Sequence, residues 1–335
     1  MTDLRLLPKV ELHLHLDCGL SYDLIRQLDP EVTPERFRRD FVAPPKCRDL
    51  AEYLRTPPNH VALLQTEEAL RLAVADLFAQ LAADNVVYAE IRFAPLLHTR
   101  RGLRTEQVVA AVAGAVARNS TATGIGARVI LCTLRHFTEA ESLETVRLAA
   151  AFRDTHVAAF DSAGGEAGYP LAAHLAAFEF AAREGIPYTV HGGEARGPES
   201  MWELIRHFRP ARFGHGVRSI EDPALVAHLR ETGIHLEVCP SCNVQIGIAP
   251  DYAGHPVDRL YRAGVSLGIS TDTRTITDVT LTQEYERLAA TFGWTADDFR
   301  QVNLSAARAA FVSDIDRARL IARLLAGYAG ITAAE

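Results

Sequence analysis

Glu11-Leu12-His13-Leu14-His15-Leu16-Asp17 sets two histidines alternately with leucines at the end of a short run that reads as a β-strand. Side chains two apart on a strand share a face, so both imidazoles point the same way, with Cα atoms roughly 6.5 Å apart at ~3.3 Å rise per residue. That separation lets two imidazole nitrogens converge on one metal ion. Taken alone, a His-x-His is more often a pair of polar residues at a strand end than a metal site, so its meaning depends on what the rest of the chain brings beside it.

Working outward, short β-branched or apolar runs recur between longer segments with helical spacing, the pattern of a parallel sheet covered by helices. Eight such runs are present: Lys9–Leu14, Val86–Phe93, Ala127–Leu134, His156–Phe160, Ile186–Val190, Arg212–Gly214, Ile234–Val238 and Val265–Ser270. Helical spacing marks Leu70–Ala83, Glu106–Asn119, Leu171–Glu184, Glu199–His207 and Pro223–Glu231. The expected fold is therefore α/β, a closed (β/α)8 TIM barrel, and residues 1–335 fit one metal-dependent hydrolase barrel with insertions. Ser21–Gln65 is too long for a βα loop and carries its own helical pieces, Tyr22–Leu28 and Thr33–Phe41, so it reads as a helical lid after the first strand. The tail from Ala296 to Gly330 reads as helix packed outside the barrel, with Phe311 and Leu320 as buried candidates.

Composition narrows the function. Apolar residues are 48% and charged residues 23% of the chain, enough for a core and too apolar for general disorder. A net charge of −7 argues against nucleic acid as partner, because phosphate binding needs clustered Lys and Arg. No signal-like apolar stretch opens the chain and no uncharged run approaches the ~18 residues that span a bilayer, so the expected setting is the cytoplasm, without a membrane partner. Five cysteines, Cys18, Cys47, Cys132, Cys239 and Cys242, form no disulfide framework and are expected reduced.

Three more polar clusters fall at the carboxyl ends of expected strands: His191-Gly192-Gly193-Glu194, Gly214-His215-Gly216 and Ser270-Thr271-Asp272-Thr273. In a barrel those ends form one rim, where active sites are built. His13, His15, His191 and Asp272 then make an N3O ligand set suited to Zn2+ with one position open for water. Phe160-Asp161-Ser162-Ala163-Gly164 offers no lysine that would bridge two metals, so one zinc ion per chain is the simpler reading.

From Leu6 to Val312 the chain resembles the adenosine deaminase family of the amidohydrolase superfamily. The matching motifs are Pro8–Asp17, His191–Glu194, Arg212-Phe213-Gly214-His215-Gly216, Leu236-Glu237-Val238-Cys239-Pro240 and Ser270–Asp272. The resemblance implies a one-zinc barrel that deaminates adenosine or 2′-deoxyadenosine hydrolytically. It further implies zinc on His13, His15, His191 and Asp272, a proton from Glu194 to purine N1, and His215 orienting or deprotonating the water, with Asp272 sharing that proton. Asp17 would reach the ribose 5′-hydroxyl, and the Gly164 N–H would address N3. Bulk water has a pKa of 15.7 and zinc brings it to about 7, so the nucleophile becomes available at neutral pH. Charge pushed onto N1 calls for a protonated carboxyl there, and burial is expected to raise the Glu194 pKa.

Two positions depart from the family pattern. Thr273 stands where a second aspartate usually faces purine N7; its hydroxyl can donate to N7 at shorter reach. Cys18 replaces a usual glycine beside Asp17. Both keep open a different 6-aminopurine, such as adenine, a 5′-modified adenosine or aminodeoxyfutalosine. A zinc amidase or esterase and a structural zinc protein are the rivals from other classes. Cys239-Pro240-Ser241-Cys242 after His235-Leu236-Glu237 imitates the other zinc deaminase class, but that class draws the two motifs from separate elements. His98, His136, His207 and His255 read as surface or satisfied histidines, and Arg100 and Arg101 as a solvated pair. Arg274, next to Thr273, is a candidate to meet a substrate carboxylate or phosphate.

Overall fold

Parallel strands ring the centre of the computed structural model, which describes residues 3–169 and 171–332. They are β1 (Lys9–His15), β2 (Val86–Phe93), β3 (Gly126–Leu134), β4 (Val157–Ala163), β5 (Thr189–Gly192), β6 (Arg212–His215), β7 (His235–Val238) and β8 (Leu267–Ile269). Every expected run coincides with one of them. Their ends shift most at β4, which continues past Phe160 to Ala163, and at β5, which begins at Thr189.

Hydrogen bonds order the strands β1-β2-β3-β4 and β5-β6-β7-β8, parallel within each half. Two seams join the halves. At one, the Phe160 N–H donates to the Pro187 carbonyl at 3.0 Å; at the other, the Asp272 N–H donates to His13 at 3.0 Å and the Asp272 carbonyl accepts from His15 at 2.8 Å. The Ser270 hydroxyl oxygen accepts the His13 N–H at 3.1 Å and bridges the same gap. The result is the closed (β/α)8 barrel.

The surrounding helices follow local rules. Thr66 caps Glu67–Ala83 by accepting the Ala69 N–H, and Ala69, Leu70, Ala73, Val74, Leu77, Phe78 and Leu81 bury one face of it. Glu139–Ala151, between β3 and β4, escapes a search for apolar spacing because Ser142 and Thr145 are among its buried positions. Its readable signal is the capping box of Thr138 and Glu141. The segment 21–65 contains helices Tyr22–Leu28, Pro34–Asp40, Leu50–Tyr53 and Pro57–Leu63. It is tied to loops after β8, β7 and β2: Ala43 N–H to Ile276 at 2.9 Å, Cys47 N–H to Gln245 at 2.7 Å, and Gln65 Nε2 to Leu97 at 3.0 Å. The tail forms Ala296–Ala309 and Asp314–Thr332, and Leu320 is buried as expected. Phe311 is only half-buried, because its ring lies under the Arg212 guanidinium, 3.6 Å from the ring centre, at the amino end of β6. Among the described residues no helix is long and apolar enough to cross a membrane.

Arg274 corrects a sequence expectation. It does not face the barrel mouth as a free cation; it is buried and donates to Glu11 at 2.6 Å and to Asp84 at 2.7 Å. Glu11 also accepts the Thr271 N–H at 3.0 Å, so this cluster ties the β8 loop to β1. Removing one partner strands two buried carboxylates, a change that costs about 3–5 kcal/mol in comparable buried pairs. Arg274→Ala should lower unfolding stability in urea by about that amount while leaving KM within about twofold. A raised KM with unchanged stability would restore the anion-binding reading.

Candidate active site

Side chains from β1, β5, β6 and the loop after β8 meet at the carboxyl rim. Ring centroids of His13 lie 4.6 Å from His191, 4.9 Å from His215 and 5.4 Å from His15. Donor atoms of His13, His191, His215 and Asp272 all fall within 4.8 Å of one another. Nε2 of His13 and Nε2 of His15 each stand 3.3 Å from Asp272 Oδ1. The structure thus brings together the sequence-expected His13, His15, His191 and Asp272, with His215 beside them. Gly214 makes this crowding possible, since a Cβ there would lie 2.8 Å from His13 Cε1 and 3.2 Å from the His191 ring.

A layer of charge below the rings sets their orientation. His13 Nδ1 is 2.8 Å from Glu237 Oε2, and His191 Nδ1 is 3.2 Å from Asp161 Oδ2. Arg92 holds both carboxylates, at 2.5 Å from Glu237 and 2.7 Å from Asp161. A carboxylate at Nδ1 takes the ring proton on that side and turns the Nε2 lone pair toward the centre, the arrangement that orients metal-binding histidines. The buried His13 Nε2 has no hydrogen-bond partner among the described residues. Arg92, Asp161 and Glu237 received no role from sequence reasoning. Their signal was present in β2, Val-Val-Tyr-Ala-Glu-Ile-Arg-Phe, where Glu90 and Arg92 alternate with apolar residues and so share the barrel interior.

Electrostatics agree with a cation-seeking point. Burial would raise the Asp272 pKa, yet the close His13 contact and the neighbouring His15 and His215 rings hold it well below the carboxylate range. Burial and Arg92 push His13 down, but its contacts to Asp272 and Glu237 win and raise it. A positive charge between His13 Nε2 and Asp272 is therefore stabilised, whether proton or metal ion. Burial keeps His15 neutral, with its pKa lowered to about 3, and burial likewise lowers His191. These residues fit a divalent metal.

Glu194 lies in the loop after β5, with Oε1 3.4 Å from His215 Nε2. Burial, reinforced by Asp272 and Glu166, raises its pKa well above the usual value, as expected from the sequence. The loop is fixed by Glu166, which sequence reasoning overlooked: its carboxylate accepts the N–H groups of Gly193, Glu194 and Arg196 at 3.1, 3.1 and 2.8 Å and bonds the Ser200 hydroxyl. No local motif announces Glu166; its partners lie some 30 residues downstream.

Of the residues expected on the substrate side, Asp17 and Thr273 are buried at the rim and Gly164 is half-buried there. Asp17 accepts the Ala94 N–H at 3.3 Å and stands 3.5 Å from His98 Nε2. His98 is the satisfied, buried alternative of the two expected for it, standing beside Asp17 with its Nδ1 on the Leu64 carbonyl at 2.9 Å. His255 is likewise buried, whereas His136 and His207 are exposed as expected. Gly164 directly follows β4 with φ of 90°. The Thr273 hydroxyl is engaged by Tyr53 OH and lies 3.1 Å from Thr277 Oγ1. Cys18 joins Tyr53, Cys47, Cys239, Cys242 and Ile276 in an apolar cluster. All five cysteines are free and buried, and the metal-capable group among the described residues contains none of them.

A model of the family described as adenosine deaminase matches residues 8–326. Adenosine deaminase 1 of Streptomyces coelicolor is 37% identical, over 97% of this chain and 88% of its own length. The adenosine deaminase of Lacticaseibacillus casei is 36% identical, over 97% of this chain and 98% of its own. Among solved structures, an adenine deaminase from Arthrobacter aurescens superposes with a TM-score of 0.87 at 26% identity, covering 95% of this chain and 98% of that one. A Zn-bound amidohydrolase from Burkholderia ambifaria has a TM-score of 0.90 at 24% identity, covering 99% and 93%, and shares the fold.

Gly214→Ala should give a folded protein that has lost metal. Its Cβ would push the His13 and His191 rings apart, and metal content by atomic absorption is expected to fall at least about tenfold with the circular dichroism spectrum retained. Full metal occupancy in the variant would show that the rings need no such approach.

Proposed function

The chain belongs to the adenosine deaminase family of hydrolytic purine deaminases, and from that premise we propose that its substrate is adenosine or 2′-deoxyadenosine and its cofactor one zinc ion per chain. His13, His15, His191 and Asp272 would hold the ion, and bound zinc would make water nucleophilic at neutral pH by lowering its pKa to about 7. The observation that carries the reading is Glu194, a buried carboxyl 3.4 Å from His215 Nε2 beside the imidazole and carboxylate cluster, with its pKa raised by burial.

Each residue has a part. Water oxygen adds to C6 while its proton passes to the Asp272 carboxylate, which is held ionised and so has a lone pair to receive it. Glu194 gives its proton to N1, where the electron pair of the C6–N1 double bond arrives. His215 orients the attacking oxygen. The proton held by Asp272 then passes to the exocyclic nitrogen, whose bond to C6 breaks as ammonia leaves, while the C6 hydroxyl gives up its proton to recharge Glu194 and the 6-oxopurine remains with hydrogen on N1. Asp17 receives the ribose 5′-hydroxyl, the Gly164 N–H addresses N3, and Thr273 lies toward N7. Five buried free thiols support a reducing, cytoplasmic setting.

A second reading, another 6-aminopurine, is favoured by one feature: the Thr273 hydroxyl is already shared with Tyr53 and Thr277, which weakens it as a donor to N7. Ammonia release from adenosine, 2′-deoxyadenosine, adenine and 5′-substituted adenosines separates the two. Adenosine or its 2′-deoxy form should have the highest kcat/KM; preference for free adenine would remove the role of Asp17, and turnover of simple amides alone would remove the deaminase reading. Glu194→Gln should lower kcat by about 10²–10⁴ while keeping metal, because an amide cannot supply the N1 proton. Near-normal turnover in that variant would overturn the assignment of the acid.

A further inference from the structure

A chain of buried hydrogen bonds runs from a main-chain amide to His215. The Val257 N–H donates to His255 Nδ1 at 3.1 Å, and an amide N–H has no alternative polarity, so that ring nitrogen carries the lone pair. Burial holds the His255 pKa down to about 3, so the ring is neutral and its proton sits on Nε2. This N–H faces Asn243 Oδ1 at 3.2 Å. An amide that turns its oxygen to His255 turns its NH2 the other way, and Asn243 Nδ2 stands 3.1 Å from His215 Nδ1. A donor at that nitrogen requires a lone pair on it, which leaves Nε2 as the place for the ring proton. Asn243, His215 and His255 are all buried, so water does not compete for these bonds.

We propose that Asn243 and His255 are positioning residues that lock His215 in the Nε2–H form, so that His215 donates a hydrogen bond to the attacking oxygen instead of taking a proton from it. The catalytic consequence rests on the deaminase reading, whereas the proton position does not. The contrast with its neighbours is a matter of one side chain each. Glu237 and Asp161 accept at Nδ1 of His13 and His191 and leave Nε2 with a lone pair; Asn243 donates at Nδ1 of His215 and leaves Nε2 with a proton. Of the rings gathered here, His215 therefore has no lone pair to offer a cation, and the transferable proton of water is left to Asp272. The signal in the sequence is Cys239-Pro240-Ser241-Cys242-Asn243, where the cysteines draw attention and the asparagine acts.

The test is long-range ¹H–¹⁵N correlation on ¹⁵N-histidine-labelled full-length protein, with and without Zn2+. His215 should show the Nε2–H pattern. Asn243→Asp, isosteric but without a donor, should shift the proton to Nδ1 and lower kcat by about 10²–10⁴ with KM within about threefold. A residue with only a packing role would change stability and leave the tautomer as it was. An Nδ1–H pattern in the parent protein, an unchanged pattern in Asn243→Asp, or a kcat within about threefold would overturn the proposal. If Asn243→Asp fails to fold, the parent spectrum decides alone. An Nε2–H pattern in a protein that releases no ammonia from any aminopurine would uphold the wiring and refute the deaminase reading.

Discussion

The peptide unit of Asp272 closes the barrel and completes the site in one stroke. Its N–H and carbonyl pair with His13 and His15 at 3.0 and 2.8 Å, and its carboxylate stands 3.3 Å from Nε2 of each. A side chain on a free loop would have to be held there at an entropic cost; here the seam does it. The backbone is left-handed at Asp272, with φ of 64°, and at His215, with φ of 61°. Non-glycine residues adopt that conformation at a cost of order 1–3 kcal/mol, and it persists where surrounding contacts over-determine it. The hydrogen bonds to β1 supply that determination for Asp272.

Beneath the rim the barrel carries charge where many cores carry only hydrocarbon. Glu90, Arg212, Glu237, Arg92 and Asp161 form a chain of buried pairs that ends, through Glu237 and Asp161, on the Nδ1 atoms of His13 and His191. Such pairs add little net stability, because desolvation offsets their attraction, so their contribution is better sought in orientation. Burial would raise the Glu237 pKa, but Arg92 and Arg212 hold it well below the usual range, so it stays an acceptor facing His13. The same physics run in reverse gives Glu194 its proton, since no cation is paired with it and burial prevails. Two carboxyls of one barrel are thereby pushed in opposite directions, Glu237 down by its two arginines and Glu194 up by burial with Asp272 and Glu166 against the pull of Arg135.

The strands were legible because both faces of a barrel strand are buried, which writes apolar and β-branched runs into the sequence; Val86–Phe93 agrees end for end. The ligand candidates were legible because the rim gathers strand ends. What local pattern does not carry is the identity of a distant partner. Arg274 reads as a candidate for a substrate anion until Glu11 and Asp84, 263 and 190 residues away, are seen to occupy it. His98 and His255 look like bystanders for the same reason. Helix Glu139–Ala151 buries small and polar side chains, so it lacks the apolar stripe that periodicity detects.

Recognition and chemistry are supplied by different parts of this chain. The groups that would hold metal and move protons sit on strand ends locked by β1, Arg92 and Glu166. The two departures from the family pattern, Thr273 and Cys18, instead face Tyr53 or pack in its apolar cluster with residues from the 43–54 stretch. A substitution in that stretch changes the surroundings of Thr273 and Cys18 without touching the rim histidines or their carboxylate support. The converse does not hold, because altering Asp272 breaks the seam on which both depend. The surroundings of Thr273 and Cys18 are therefore the more easily varied part of the rim, and the histidine and Asp272 cluster the more deeply fixed one.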